Sequence, residues 1–309
     1  MSTKPTRATP DGRAYLDLQN LARRTKRPTD ELHQLYALEC FLDRLSMSSH
    51  ASRFVLKGGV LLPAYATRRP TRDIDLAARA LDNEVETIRA LVRDVVEIDI
   101  EDGLEIDRDS IAASVIREED LYSSVRVTMA ARLASARLQC HVDVNVGDPI
   151  SPAPESVALP RLLGGELNVV GYPLVMVLAG KIVTALQRGV ANTRWRDFTD
   201  VSRLIAIHEL EASVLLRSMR VVAEHRAVEL EPLSTVLDRY ADVAQPRWAA
   251  WRRKQQLTAV VPEQFARVVA ELCAFADPLI TGEAEDLSWS PDSRAWIAPP
   301  ASDDANQRS

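Results

Sequence analysis

Cysteine is scarce in this sequence, and so are aromatic side chains and long apolar runs. The 309 residues include three cysteines, far apart, so neither a disulfide framework nor a cysteine-type zinc site is expected. No apolar run approaches the ~18 residues of a membrane-spanning helix, and the polar N-terminus lacks the apolar stretch of a secretory signal. These absences favour a cytoplasmic protein that does not enter a membrane.

An excess of positive charge is also missing. The formal net charge is −6, whereas a protein that only coats nucleic acid is expected to be basic. Any contact with nucleic acid would therefore use local basic patches. One such patch is "RWAAWRRK" at residues 247–254. Its tryptophans and basic side chains could grip an RNA backbone and stack on bases, or they could pack helices together with the charges outside.

The apolar pattern predicts an α/β (α+β) fold with two parts. Apolar residues make up 46% of the chain, which is enough for a core. Strand-like and helical periodicities are mixed in the N-terminal half, and from Pro173 onward nearly everything has helical spacing. We therefore expect a mixed sheet flanked by helices, followed by a mostly helical C-terminal domain. The predicted organisation is a disordered N-terminus at 1–12, an α/β domain at 13–160, a helical domain at 161–282 and a flexible tail at 283–309.

The stretch "FVLKGGVLLPAYATRRPTRDIDLAAR" at residues 54–79 carries features that a core does not need. Gly58 and Gly59 follow a short apolar strand and open a helix, where glycines permit close backbone approach and free N–H groups can meet an anion. An ordinary strand–helix turn would contain the same glycines. Asp73 and Asp75 would lie on one face of a strand, about 7 Å apart. Two such carboxylates repel unless a cation lies between them, and either Mg²⁺ or the nearby arginines could supply it.

A third carboxylate lies in "CHVDVNVG". Asp143 stands between valines on a predicted buried strand, where a charge is costly unless it is paired or bound to a metal. His141 shares its strand face, and we interpret it as a partly buried histidine and not as a ligand. Three carboxylates and a Gly-Gly turn are typical of metal-dependent phosphoryl chemistry.

The combined motifs resemble a known family. The order "KGG", "RRPTRDIDL", "HVDVNVGD" and "VLAGKIVTALQRGVANTRWRDFTDV" is similar to the AbiEii/AbiGii-type nucleotidyltransferase toxins, which include the MenT toxins. These belong to the DNA polymerase β-like nucleotidyltransferase superfamily. The resemblance runs from about residue 50 to residue 207, and it implies a nucleotidyltransferase-type sheet.

The resemblance implies a role for each matching residue. Asp73, Asp75 and Asp143 would ligate Mg²⁺, and Asp143 would also assist deprotonation of the attacking hydroxyl. The residues expected to contact the nucleotide triphosphate are Lys57, Gly58, Gly59, Arg72 and Lys181. Asp197 matches a late acidic position of the family, and Asp200 is a possible substitute on the same helical face. Lys181 could instead be a snorkelling lysine, and both aspartates could instead form salt bridges with nearby arginines.

The resemblance also implies an activity: transfer of a nucleoside monophosphate from an NTP to RNA, with the tRNA 3′ end as the expected acceptor. That would block translation, so a cognate antitoxin protein is the expected partner. Two alternatives stay open at this point. The acceptor could be a small molecule or a protein, or the chain could be a non-catalytic binding module whose aspartates only make salt bridges.

Overall fold

The chain divides into two units. The computed structural model describes residues 4–66, 68–118 and 122–299. The first unit holds residues 1–148 and 153–172, and the second holds residues 149–152 and 173–309. The division falls at Tyr172 and not at the predicted residue 160, because the segment at 155–171 forms two strands that belong to the first unit.

A mixed sheet of eight strands is the centre of the described part of the first unit. The strands are β1 (Phe54–Lys57), β2 (Asp73–Ala78), β3 (Leu104–Ile106), β4 (Ala112–Glu118), β5 (Tyr122–Leu133), β6 (Ala136–Val146), β7 (Glu155–Pro160) and β8 (Glu166–Gly171). Their order is β3-β5-β6-β2-β1-β8-β7, with β4 also paired to β5. The β2–β6 and β1–β8 pairs are parallel, and the remaining pairs are antiparallel.

The long strands β5 and β6 show why one face of the sheet is apolar and the other polar. Val125 and Val127 on β5, like Val142 and Val144 on β6, are fully buried. The residues between them point to the opposite face because side chains alternate along a strand.

Helices pack against this sheet. The helices of the first unit are α1 (Pro10–Thr25), α2 (Thr29–Met47), α3 (Gly58–Leu61) and α4 (Val85–Val96). The longest, α2, packs against β6, and α4 packs against β4 and β5. Their buried leucines and valines form the core with the apolar face of the sheet. The predicted fold class, a mixed sheet flanked by helices with a mostly helical C-terminal part, is confirmed.

The second unit is mainly helical. Its helices are α5 (Leu174–Arg188), α6 (Trp195–Ile205), α7 (Ala212–His225), α8 (Leu233–Val236), α9 (Tyr240–Lys254) and α10 (Phe265–Thr281). Three short strands, β9 (Leu210–Glu211), β10 (Ser288–Ser290) and β11 (Ala295–Ile297), form a small antiparallel sheet.

Helix α9 carries the "RWAAWRRK" patch, and its first tryptophan belongs to the core. Trp248 is fully buried, and its ring centroid lies 4.7 Å from that of Phe265. A proline inside a helix often breaks it, but α9 continues through Pro246, with Ala244 and Trp248 buried on either side. At Trp248 the structure therefore favours helix packing over base stacking.

Helix α5 begins the one described segment that has the length and mean hydropathy of a membrane-spanning helix, Leu174–Ala191. Half of this segment is buried inside the protein. Lys181 lies within it and is ion-paired. A buried segment with an internal ion pair is what the core helix of a folded unit shows.

The predicted flexible tail at 283–309 is wrong for its described part. Trp289 on β10 is 2% exposed, and its Nε1 donates to the carbonyl oxygen of Ile205 at 2.7 Å. Its ring meets Phe275 edge-on at 4.8 Å. The polar, proline-containing composition concealed these aromatic anchors. Residues 300–309 of the predicted tail, and 1–3 of the predicted disordered N-terminus, lie outside the described residues.

The anchoring of this segment leads to a stability prediction. Trp289→Ala is expected to lower the free energy of unfolding by about 3–5 kcal/mol, because a large buried side chain leaves a cavity. Urea denaturation measures the change. Ile297→Ala, at a half-exposed position on the neighbouring strand, is the matched control and should change stability by less than about 1 kcal/mol. A loss at Trp289 as small as that of the control would show that the segment is loosely held.

Candidate active site

Four charged side chains form a row across the polar face of the sheet. Arg126 on β5 is the register partner of Asp143 on β6, which is the register partner of Asp75 on β2. Asp75 in turn lies opposite Lys57 on β1. Register partners on adjacent strands project to the same face, with the strands about 4.8 Å apart. The row therefore reads cation, carboxylate, carboxylate, cation.

A second row lies one side-chain step away on the same face. Asp73 on β2 is the register partner of His141 on β6. The Nδ1 atom of His141 lies 2.9 Å from Oδ1 of Asp73, within hydrogen-bond distance. Asp73 and His141 are each partly exposed. The structure thus brings Asp73, Asp75 and Asp143 to one face of adjacent strands. It also places His141 beside Asp73, although His141 was interpreted from the sequence as a partly buried histidine without a role in the site.

Asp143 is the most deeply buried member of the charged row. Its side chain is 4% exposed, and Arg126 donates to both of its oxygens, from Nε to Oδ1 at 2.7 Å and from Nη2 to Oδ2 at 2.6 Å. This fork is the strong, bidentate form of an arginine–carboxylate pair. The pKa of Arg126 lies well above its ordinary value, chiefly because of these hydrogen bonds, which outweigh burial, with added attraction from Asp143, Asp73 and Asp75.

The sequence analysis missed Arg126. A carboxylate between valines was expected to be paired or bound to a metal, but no residue was named as the partner of Asp143. The available signal was local: "VRV" at 125–127 repeats the pattern of "VDV" at 142–144 with the opposite charge. Opposite charges on neighbouring strands attract when they share a register position.

Lys57 ends the row at β1. Its Nζ donates to Oδ2 of Asp148 at 2.6 Å, and the two side chains are 18% and 20% exposed. Asp148 lies just beyond β6, so this pair joins the edge of the row to the end of that strand. The cation at this position therefore has a carboxylate partner outside the row.

The glycine turn after β1 has a steric reason that involves Asp75. Gly58 has φ +68°, and a Cβ atom there would lie 1.9 Å from Oδ2 of Asp75. Only glycine can take this conformation and leave room for the carboxylate. A Cβ at Gly59 would lie 2.9 Å from the hydroxyl oxygen of Thr71, so Gly59 admits the loop that precedes β2. Arg72 is exposed at the end of that loop, directly before Asp73.

The carboxylates suit a hard divalent cation by chemistry, but not as a preformed trio. Among residues 4–66, 68–118 and 122–299, no three His, Cys, Asp or Glu side chains are grouped to hold a metal ion. Both oxygens of Asp143 accept hydrogen bonds from Arg126. Mg²⁺ in nucleotide sites uses one or two carboxylates plus phosphate oxygens. Asp73 and Asp75, on one face of β2, supply a donor set of that kind.

Lys181 and Asp197 belong to the second unit, where they form a buried charge cluster. Nζ of Lys181 on α5 lies 2.6 Å from Oδ1 of Asp197 and 2.8 Å from Oδ2 of Asp200, both on α6. Arg194 also donates to Asp197, from Nε at 2.7 Å. The predicted shared face of Asp197 and Asp200 is confirmed by their common partner. The alternative interpretation, in which these aspartates form salt bridges, agrees with the ion pair between Arg194 and Asp197.

The balance of charges in this cluster shifts one pKa. Burial raises the pKa of the Asp197 carboxyl, but the nearby Lys181 and Arg194 outweigh burial, so the pKa lies below its ordinary value of 3.8. A carboxyl with a lowered folded pKa stabilises the fold above its unfolded pKa. That contribution is lost as the pH falls below 3.8 toward the folded value.

This sign gives a pH-dependent prediction. Asp197→Asn is expected to lower the free energy of unfolding by about 3 kcal/mol at neutral pH, since it breaks a buried ion pair. The difference from wild type should shrink at about pH 3, as protonation removes the advantage of the carboxylate. Denaturation at both pH values measures it, with Asp238→Asn, whose side chain is 78% exposed, as the control. Equal losses at both pH values would contradict the assigned role of the charge.

Comparison with known proteins identifies the family to which this chain belongs. The model of the family described as nucleotidyl transferase AbiEii toxin, type IV TA system, matches residues 40–271. Among solved structures, MenT4, a nucleotidyltransferase toxin from Mycobacterium tuberculosis H37Rv, is 18% identical with a TM-score of 0.48, over 86% of this chain and 98% of that chain. JHP933 from Helicobacter pylori is 14% identical with a TM-score of 0.47, over 82% of this chain and 92% of that chain. A search of curated proteins finds no match. Because the family match spans most of the sequence, this chain belongs to the AbiEii family of nucleotidyl transferase toxins of type IV toxin–antitoxin systems, and it is a nucleotidyltransferase.

Proposed function

We propose that this nucleotidyltransferase is Mg²⁺-dependent and transfers a nucleoside monophosphate from an NTP to a hydroxyl of RNA. One observation carries the proposal: Asp75 and Asp143 lie side by side on adjacent strands, with Asp73 on the same face. A fold gains no stability from placing carboxylates next to each other unless cations neutralise them. Carboxylates at the start of β2, where Asp73 is partly exposed, suit the binding of a divalent cation that carries a triphosphate.

Asp73 and Asp75 would hold the magnesium ion. Both are partly exposed, so a hydrated cation and a triphosphate can reach them. Bound there, Mg²⁺ would neutralise developing phosphate charge and lower the pKa of an attacking hydroxyl. Gly58 keeps the backbone clear of the Asp75 carboxylate and so preserves its rotamer.

Cationic residues of the chain would bind the triphosphate. Lys57 lies opposite Asp75 in the row, and Arg72 is exposed directly before Asp73. Gly58 and Gly59 would hold the triphosphate, as the family resemblance implies, although Gly59 itself is buried beside Thr71. A nucleotide-contacting role for Lys181 stays the expectation that the family resemblance implies; within the second unit its Nζ lies 2.6 Å from Oδ1 of Asp197.

In the transfer itself, the acceptor hydroxyl oxygen forms a bond to the α-phosphorus as the bond to the bridging β-phosphate oxygen breaks. Pyrophosphate carries away that electron pair, and the hydroxyl proton passes to a base. Asp143 is the proposed proton acceptor. Each of its oxygens has a second lone pair beyond the one that Arg126 occupies.

The acceptor and the partner follow from the toxin family. The tRNA 3′ end is the proposed acceptor, because extending it would block aminoacylation and stop translation in the cytoplasm. A toxin of this kind needs a cognate antitoxin protein. The formal net charge of −6 means that RNA would meet local basic patches and not a uniformly basic surface.

Label transfer tests the proposal. Purified protein with Mg²⁺ and total tRNA is expected to move label from at least one α-labelled NTP onto RNA 3′ ends. Asp75→Asn should reduce the rate by at least about a hundredfold, because the reacting phosphates lose electrostatic stabilisation. If parallel assays show label on a small molecule or a protein and not on RNA, the proposed RNA acceptor is wrong and the labelled molecule is the acceptor. No transfer from any of the four NTPs to any acceptor would contradict the proposal.

A matched pair of glycine variants supplies the control. Gly58 and Gly147 both have positive φ, +68° and +89°, but a Cβ at Gly147 has nothing within 4 Å. Alanine should strain the backbone by about 1–2 kcal/mol at either position. Only Gly58→Ala should also displace Asp75 and abolish transfer. Equal activity in the two variants would show that the Asp75 rotamer does not matter.

A further inference from the structure

The pairing of Arg126 with Asp143 is not explained by the nucleotidyl transfer described above. Both oxygens of the carboxylate accept from one guanidinium, although the resemblance assigns Asp143 to the metal. The two side chains differ in solvent exposure. The Asp143 side chain is 4% exposed on a central strand, whereas that of Arg126 is 34% exposed and borders solvent.

We propose that Arg126 is a positioning residue that competes with the divalent cation for Asp143 and so limits how tightly the acidic face binds metal. The inference rests on the proposed function, since it assumes that metal binds near Asp75. In this arrangement the arginine holds Asp143 in a fixed rotamer, and metal gains this third carboxylate only when at least one of the two hydrogen bonds is given up.

The electrostatics of the row make the competition specific. Asp73 and Asp75 also attract Arg126, beyond its direct partner Asp143, so its positive charge opposes the binding of a second cation on this face. Two cations that share one carboxylate repel each other. Lys57, at the other end of the row, donates instead to Asp148. Arg126, by contrast, is hydrogen-bonded within the row, to both oxygens of Asp143.

The experiment compares the metal response of full-length wild-type protein and Arg126→Gln. Titration calorimetry with Mg²⁺ alone should show an affinity about tenfold tighter in the variant, because the substitution removes one positive charge that competes with Mg²⁺ for Asp143. Without metal the variant should unfold at a lower temperature, because Asp143 is buried without its charged partner. Mg²⁺ should then raise its melting temperature by more than it raises that of wild type.

Arg132→Gln is the matched control. Arg132 lies on the same strand and also donates to a carboxylate, Glu105, from Nη2 at 2.6 Å, but both side chains are exposed and lie off the row. Its Mg²⁺ response should equal that of wild type. If Arg126→Gln does not fold, Arg126→Lys, which keeps the charge but loses the fork, should show a smaller gain in the same direction.

The outcomes separate the two proposals. If wild type binds Mg²⁺ and Arg126→Gln binds it equally or more weakly, the competition is wrong and the proposed function stands. If neither protein responds to Mg²⁺, with or without an NTP, both the metal dependence and the competition are wrong. If Asp143→Asn in the Arg126→Gln background keeps the gain in affinity, Asp143 is not the shared ligand and the inference is overturned.

Discussion

Two carboxylates on adjacent parallel strands are the constraint around which the first unit is organised. Asp75 and Asp143 share a register position, and their repulsion would oppose the pairing of β2 with β6 if it were left uncompensated. A cation lies on each of the two strands that flank this pair, Arg126 on β5 and Lys57 on β1. Arg126 offsets the charge of Asp143, and negative charge stays concentrated around Asp73 and Asp75 in the middle of the sheet.

The second unit solves a related problem with helices. Lys181 stands between two aspartates of α6, and an aromatic cluster around Phe265 forms much of the neighbouring core. Removing one member of such a cluster leaves buried charge without a partner, which costs far more than losing a surface ion pair. A residue there can therefore appear essential for activity when its replacement has unfolded the unit. Stability must be measured beside activity for each variant in this cluster.

Local patterns in the sequence predicted much of this architecture. Alternation of side chains placed Asp73 and Asp75 on one face, and the helical spacing of 197 and 200 placed those two carboxylates together. The motif order predicted the AbiEii family, and the family match confirms it. Such predictions succeed because periodicity and motif spacing are properties of a short stretch of chain.

What was missed depends on the register in which strands pair. Arg126 meets Asp143 only through the register of the β5–β6 hairpin, and His141 meets Asp73 only through the parallel β2–β6 pair. A shift of one residue would turn these side chains to the other face. The roles of Asp73, Asp75 and Asp143 as metal ligands stay predictions.

The most direct test of the central claim is anomalous diffraction from crystals grown with Mn²⁺ and a non-hydrolysable NTP analogue. The account predicts a manganese peak within about 2.5 Å of carboxylate oxygens of Asp73 and Asp75, bridged to the triphosphate. Manganese bound away from these aspartates, with the triphosphate elsewhere on the protein, would contradict it.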